Sequence, residues 1–86
     1  GPIATAACVA LGISSPSWDL QESIQEDKPP RRDMTDEIIN LENGWYFPSE
    51  KPGLGINFNE KAPAMHPFDP AKIPPPISSD GSVGLR

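Results

Sequence analysis

The sequence predicts a small α/β unit that does not complete a core of its own. Three observations carry this expectation. The first twelve residues hold an apolar stripe at helical period. The segment after them alternates at strand period. The next strand-like stretches give way to proline beyond residue 61. Composition agrees: 7 glycines and 12 prolines make about a fifth of the 86 residues, and the apolar share is 36%, against roughly 45–50% in ordinary globular domains. A chain this short buries only about 60–65% of its unfolded surface even when well packed, and one cysteine provides no intrachain disulfide to help.

Residues 1–12 read as a helix. Ile3, Ala6, Ala7, Ala10 and Leu11 share one face at i, i+3, i+4, i+7 and i+8. Pro2 suits the first helical position, where its missing N–H costs nothing. Gly12 suits the stop, where a left-handed residue is favoured. So many alanines on one face predict close packing against another element, and three turns alone are marginal in water. Ser14-Ser15-Pro16-Ser17 is a turn. From Trp18 to Ile24 the chain alternates, with Trp18, Leu20, Glu22 and Ile24 on one side and Asp19, Gln21 and Ser23 on the other, as in a strand.

Residues 25–36 are charged and broken by Pro29-Pro30, and read as a loop. Glu37–Leu41 suits a short strand or a turn of helix. Asn43-Gly44 is a tight-turn dipeptide, and Trp45-Tyr46-Phe47 is a strand-like run stopped by Pro48. Lys51-Pro52-Gly53 carries a type II turn signature, and Gly55–Asn59 alternates like a half-buried strand. Pro63, Pro67, Pro70 and Pro74-Pro75-Pro76 predict an extended tail. The expected units are therefore 1–24 (helix and strand), 25–36 (charged loop), 37–61 (short antiparallel strands) and 62–86 (tail).

Twelve acidic residues against seven basic, net −5, argue against a phosphate-binding face and hence against nucleic acid. The best apolar run, Ala6–Leu11, is too short to span a membrane and follows no charged n-region. A start at Gly1 rather than Met reads as processing or a fragment. No Cys-x-x-Cys, P-loop or dinucleotide glycine motif is present.

The segments Gly1-Pro2-Ile3-Ala4-Thr5-Ala6-Ala7-Cys8, Leu20-Gln21-Glu22, Asn43-Gly44-Trp45-Tyr46 and Lys51-Pro52-Gly53-Leu54-Gly55-Ile56, in this order, resemble the C-terminal end of enolase-superfamily acid-sugar dehydratases. The galactonate dehydratase branch is most similar and the mannonate dehydratase-like proteins come second. The resemblance implies that 1–12 is the last connecting helix of a modified TIM barrel and that 18–23 is its eighth strand. It implies a hydro-lyase that takes a proton from beside a carboxylate and expels hydroxide, giving a 2-keto-3-deoxy acid. Its Mg2+ would be held by barrel carboxylates that this chain lacks, so the chain alone is expected to be inactive. Implied partners are an aldonic acid, the remainder of the barrel and the capping domain. A homo-oligomer in the cytoplasm is expected, with no nucleic acid and no membrane. The chain departs from the family pattern at Asn59-Glu60, where Asp-Glu is usual, and in its Val83-Gly84-Leu85-Arg86 end.

Glu22 is the candidate catalytic residue. Barrel active sites lie at the C-terminal ends of strands, and a carboxyl there, backed by Trp18 and Leu20, would be partly desolvated and able to donate a hydrogen bond to developing charge; a solvated strand-end glutamate is the competing reading. Trp45, with Tyr46, is the candidate substrate-binding residue, since flat rings stack on sugar C–H faces; ordinary aromatic packing is the competing reading. Gln21 reads as structural, His66 as a surface-loop histidine and Cys8 as a small buried thiol. Glu26 and Asp27 could reach a metal, but a solvated loop suits them better. Lys28-Pro29-Pro30-Arg31-Arg32 and Pro74-Pro75-Pro76 support a second functional reading, a non-catalytic interaction segment with Pro-rich docking motifs.

Overall fold

A computed structural model describes residues 1–70, 77–82 and 84. Helix α1 spans Pro2–Ser14, a 3₁₀ turn spans Arg31–Met34, strands β1 (Asn40–Glu42) and β2 (Trp45–Phe47) form an antiparallel hairpin, and a single turn, α2, spans Ala62–Met65. The small α/β composition is as expected from the sequence.

Pro2 sits in the first turn of α1, as its fixed φ favours. The helix does not stop at Gly12: it runs two residues further, to Ser14, and is capped by Ser15, whose N–H donates to the Gly12 carbonyl at 3.2 Å. Gly12 serves packing instead. A Cβ there would lie 3.0 Å from Nε1 of Trp18, so the missing side chain lets the indole fold back onto the helix.

The hairpin follows its turn chemistry. Asn43 and Gly44 have φ of 51° and 80°, the pair of positive values that a two-residue type I′ turn requires. Leu41 therefore faces Tyr46, and Asn40 faces Phe47. Gly53 has the positive φ its turn signature demands, although the closing bond comes one residue later, from Gly55 N–H to Pro52 C=O at 3.2 Å.

Two expected strands are not strands. Residues 18–24 form no ladder, and 55–59 contribute only one bridge, Thr35 to Phe58. The reason is the same for both. A strand exists through hydrogen bonds to a neighbour, and the hairpin, the one sheet among the described residues, pairs with neither segment. The extended tail is likewise interrupted by α2; Pro63 lies in its first turn, where proline is tolerated. Pro74-Pro75-Pro76 lies outside the described residues.

The core is slight. Ala6 and Val9 of α1 meet Ile39, with Tyr46 and Ile56 packed against them. The helix face buried is Pro2–Ala6–Val9, beside the stripe the sequence suggested; Ile3, Ala7, Ala10 and Leu11 are exposed. No large side chain is fully buried among the described residues. The accessible surface is 7045 Å², where a folded 9.3 kDa monomer should expose about 5,000 Å². The radius of gyration is 16.3 Å, against about 12 Å for a compact domain of this length. Roughly 2,000 Å² that a self-contained fold would bury therefore remains uncovered.

Polar stitching holds the second half together. Asn59 donates its N–H to Met34 C=O at 2.8 Å and its side-chain amide to Asp33 C=O at 2.9 Å. His66 Nε2 lies 2.6 Å from Asp33 Oδ2. These contacts tie α2 to the 3₁₀ turn and leave Ala62 fully buried.

Candidate functional site

Two neighbouring cavities lie beside residues 18–27. One, a cleft of about 480 Å³, opens between α1, residues 18–23 and the hairpin; Val9, Trp18, Gln21, Leu41 and Trp45 are on its walls. The other, about 520 Å³, is lined by residues that include Ile24, Glu26, Asp27, Ile39 and Asn40. Ser23 and Tyr46 line both, and their hydroxyls are hydrogen bonded to each other. Together with Leu41, which also lines both, that pair forms the wall the cavities share.

The sequence candidates fall unevenly around this wall. Trp45 is in the 480 Å³ cleft and 72% exposed, its register set by the Asn43-Gly44 turn. Glu22 is exposed and lines neither cavity, although Gln21 and Ser23 on either side of it do. Its backbone carbonyl accepts a 2.6 Å hydrogen bond from Gln21 Nε2. The side of 18–24 that carries Glu22 also carries Leu20, 85% exposed, and Ile24. Leu20 lines the 480 Å³ cleft and Ile24 the 520 Å³ one, yet both stay largely exposed. Gln21, expected to be structural, lines the cleft, and its Oε1 is buried with no hydrogen-bond partner.

Glu26 departs most from expectation. It is 8% exposed, not solvated. Its Oε1 accepts a hydrogen bond from Thr5 Oγ1 at 3.0 Å and lies 3.6 Å from the Gly1 nitrogen. A carboxylate there faces the N-terminal end of α1, where the helix dipole favours negative charge. The legible signal was a hydroxyl in the first helical turn; the 21-residue separation hid its partner. His66 was expected as a loop histidine without a partner, and the fold supplies Asp33 from 33 residues away.

Electrostatics are concentrated at a second site. Asp36 accepts from the Asn57 N–H, the Asn57 side-chain amide and the Glu37 N–H, each at 2.8 Å. The Asn57 bonds, helped by Glu37 and the nearby Lys51 charge, hold its carboxyl below the usual carboxylate range. Lys51 in turn is raised by its hydrogen-bonded ion pair with Glu37. Among the described residues, no three His, Cys, Asp or Glu side chains gather to hold a metal ion. Nor is any described helix long and apolar enough to cross a membrane.

No family model matches the chain, and no solved structure matches it. Curated sequences do. A D-galactonate dehydratase family member from Pseudarthrobacter chlorophenolicus is 30% identical over 95% of this chain and 20% of its own length. Another from Streptomyces sp. (strain SPB074) is 32% identical over 99% of this chain and 18% of its own length. A D-mannonate dehydratase from Caulobacter vibrioides is 28% identical over 95% and 20%. The chain thus spans about one fifth of the length of the curated relatives it matches.

Proposed function

We propose, on the premise that this chain belongs by sequence to the D-galactonate and D-mannonate dehydratase family, that it is the C-terminal piece of an acid-sugar dehydratase. The whole protein would remove water from an aldonic acid. One observation carries the reading: similarity over nearly all of this chain to about a fifth of each relative. The slight core supports it, because a chain whose helix and strand-like segment leave apolar side chains exposed needs further polypeptide to cover them. The exposed side of α1 with Ile3, Ala7 and Leu11, and the side of 18–24 with Leu20 and Ile24, are then the faces that the remaining polypeptide covers.

Within that assembly Glu22 acts from the end of the eighth barrel strand. Once its segment pairs with a neighbouring strand, the carboxyl stands beside Trp18 and Leu20 in a desolvated site and donates a hydrogen bond to charge developing on the substrate. Trp45 offers a flat face to the sugar carbons. The magnesium ion and its ligands belong to parts of the protein outside this chain; when bound, the ion would stabilise negative charge on the substrate carboxylate. A cytoplasmic homo-oligomer remains part of this proposal.

The test uses the full-length protein. Glu22→Gln should lower turnover of the preferred aldonic acid by at least a hundredfold while magnesium affinity is unchanged; wild-type turnover in the variant would refute the role. The chain of 86 residues, given magnesium and a panel of aldonic acids, should release no 2-keto-3-deoxy acid. A non-catalytic docking segment is the second reading. It rests on Lys28–Arg32, exposed or half-buried around the 3₁₀ turn, and predicts binding to Pro-recognising domains.

A further inference from the structure

We propose that Glu26 is a positioning residue: its carboxylate anchors the end of segment 18–26 to the start of α1 and so fixes where Glu22 stands. From residue 22 to residue 30 only Glu26 is buried, at 8% exposed. An otherwise exposed stretch thus holds one buried side chain, and that side chain is an acid. Burying a carboxylate is costly unless a hydrogen bond meets it, and Thr5 Oγ1 donates one at 3.0 Å. The Gly1 nitrogen lies 3.6 Å away. In a full-length protein that nitrogen is a peptide N–H without a terminal charge, so the Thr5 hydroxyl is the contact the anchor depends on.

Two contacts define how the segment lies. Trp18 folds onto Gly12, near the end of α1, and its N–H donates to Ser15 C=O at 3.0 Å. Glu26 meets Thr5, near the start of the helix. The earlier residue of the segment meets the later part of α1, so 18–26 runs back along the helix, antiparallel to it. A slip of one residue, about 3.3 Å in strand-like chain, would carry Glu26 out of hydrogen-bond reach of Thr5. An apolar side chain at position 26 would tolerate that slip, since hydrophobic contact has no direction. A carboxylate on a hydroxyl does not tolerate it.

Glu22 takes its place from these two anchors. Its side chain is exposed, and its backbone carbonyl accepts the Gln21 amide at 2.6 Å. Four residues of chain hold it within about 13 Å of Glu26. Releasing the later anchor lets the Glu22 carboxyl wander, and a misplacement of about 1 Å can lower a rate about a hundredfold. The catalytic role of Glu22 rests on the dehydratase reading; the anchor itself does not.

Two readouts on the full-length protein test this. Hydrogen exchange of the amides of 22–26 should rise about tenfold in Glu26→Ala. It should stay within about threefold in Glu26→Gln, whose amide oxygen still accepts from Thr5. Asp27→Ala, at the exposed neighbour, should leave exchange unchanged. On an aldonic acid that the enzyme turns over, Glu26→Ala should lower kcat about ten- to a hundredfold with KM within about threefold, and Glu26→Gln should restore most of the rate. In the Glu22→Gln background, adding Glu26→Ala should lower kcat by less than about threefold more, because both changes act through one carboxyl. Should Glu26→Ala not fold, Thr5→Val, which removes the donor alone, is read in its place. Unchanged exchange at 22–26 overturns the inference whatever the turnover. So does an equal loss of kcat with and without the Glu22 carboxyl. Raised exchange in a protein inactive on every aldonic acid upholds the anchor and refutes the dehydratase reading alone.

Discussion

Replacing Thr5 by valine keeps its shape and removes the hydroxyl that Glu26 depends on. Glu26 Oε1 accepts from Thr5 Oγ1 at 3.0 Å, and the carboxylate is 8% exposed. Hydrogen bonds to charged groups contribute about 1.5–3 kcal/mol. Thr5 is half-buried, so water partly replaces the lost donor, and a value near 1.5 kcal/mol follows. Because the core is slight, the loss should appear as local opening of α1 more than as a shift in one global transition. The assay is hydrogen exchange of the α1 amides at neutral pH. A loss of about 1.5 kcal/mol multiplies exchange roughly tenfold for residues 6–10. Thr5→Ser, which keeps the hydroxyl, should stay within about threefold of the original chain. If Thr5→Val leaves protection unchanged, Glu26 is not tied to the helix start and its burial has another cause.

Two further outcomes follow from the second half of the fold. Hydrogen bonds from Asn57 stabilise ionised Asp36, so its folded pKa lies below the ordinary 3.8. Its contribution is therefore complete above that value and is lost as pH falls through the lower folded pKa; the Asn57 amide resonance should titrate in that acidic window, and in Asp36→Asn it should not. Gly55 has φ +72°, and a Cβ there would stand 2.5 Å from Ser49 Cβ. Left-handed backbone costs about 1–2 kcal/mol for a residue with a side chain. Gly55→Ala should therefore destabilise the 49–57 loop by at least about 2 kcal/mol, seen as faster exchange at Gly55 and Asn57. Near-native protection there would contradict the observed crowding.

The readings that held are those in which a residue's neighbours in sequence are also its partners. Pro2 starts α1 because its own ring sets the angle. Asn43-Gly44 turns the hairpin because its two φ values must be positive. The order of short motifs along the chain was likewise enough for the family resemblance that the relatives share. At the candidate site, Trp45 was legible as an aromatic beside a turn, and Gln21 was not legible as a cleft residue, because an orphaned acceptor exists only once walls surround it.

Local rules stop where contacts between distant segments begin. Periodicity identified α1 as a helix, but the buried face is the one that meets Ile39, and that partner lies 30 residues beyond Val9. The sequence of 18–24 alternates, yet a ladder needs a neighbour that the described residues do not place there. Glu26 looks like a solvated loop acid until the chain carries it to Thr5, and His66 looks isolated until α2 docks on the 3₁₀ turn beside Asp33. Dihedral preference is carried by each residue and can be read from it. Burial, pairing and charge partnership belong to pairs, and the pairs form only when the chain has folded.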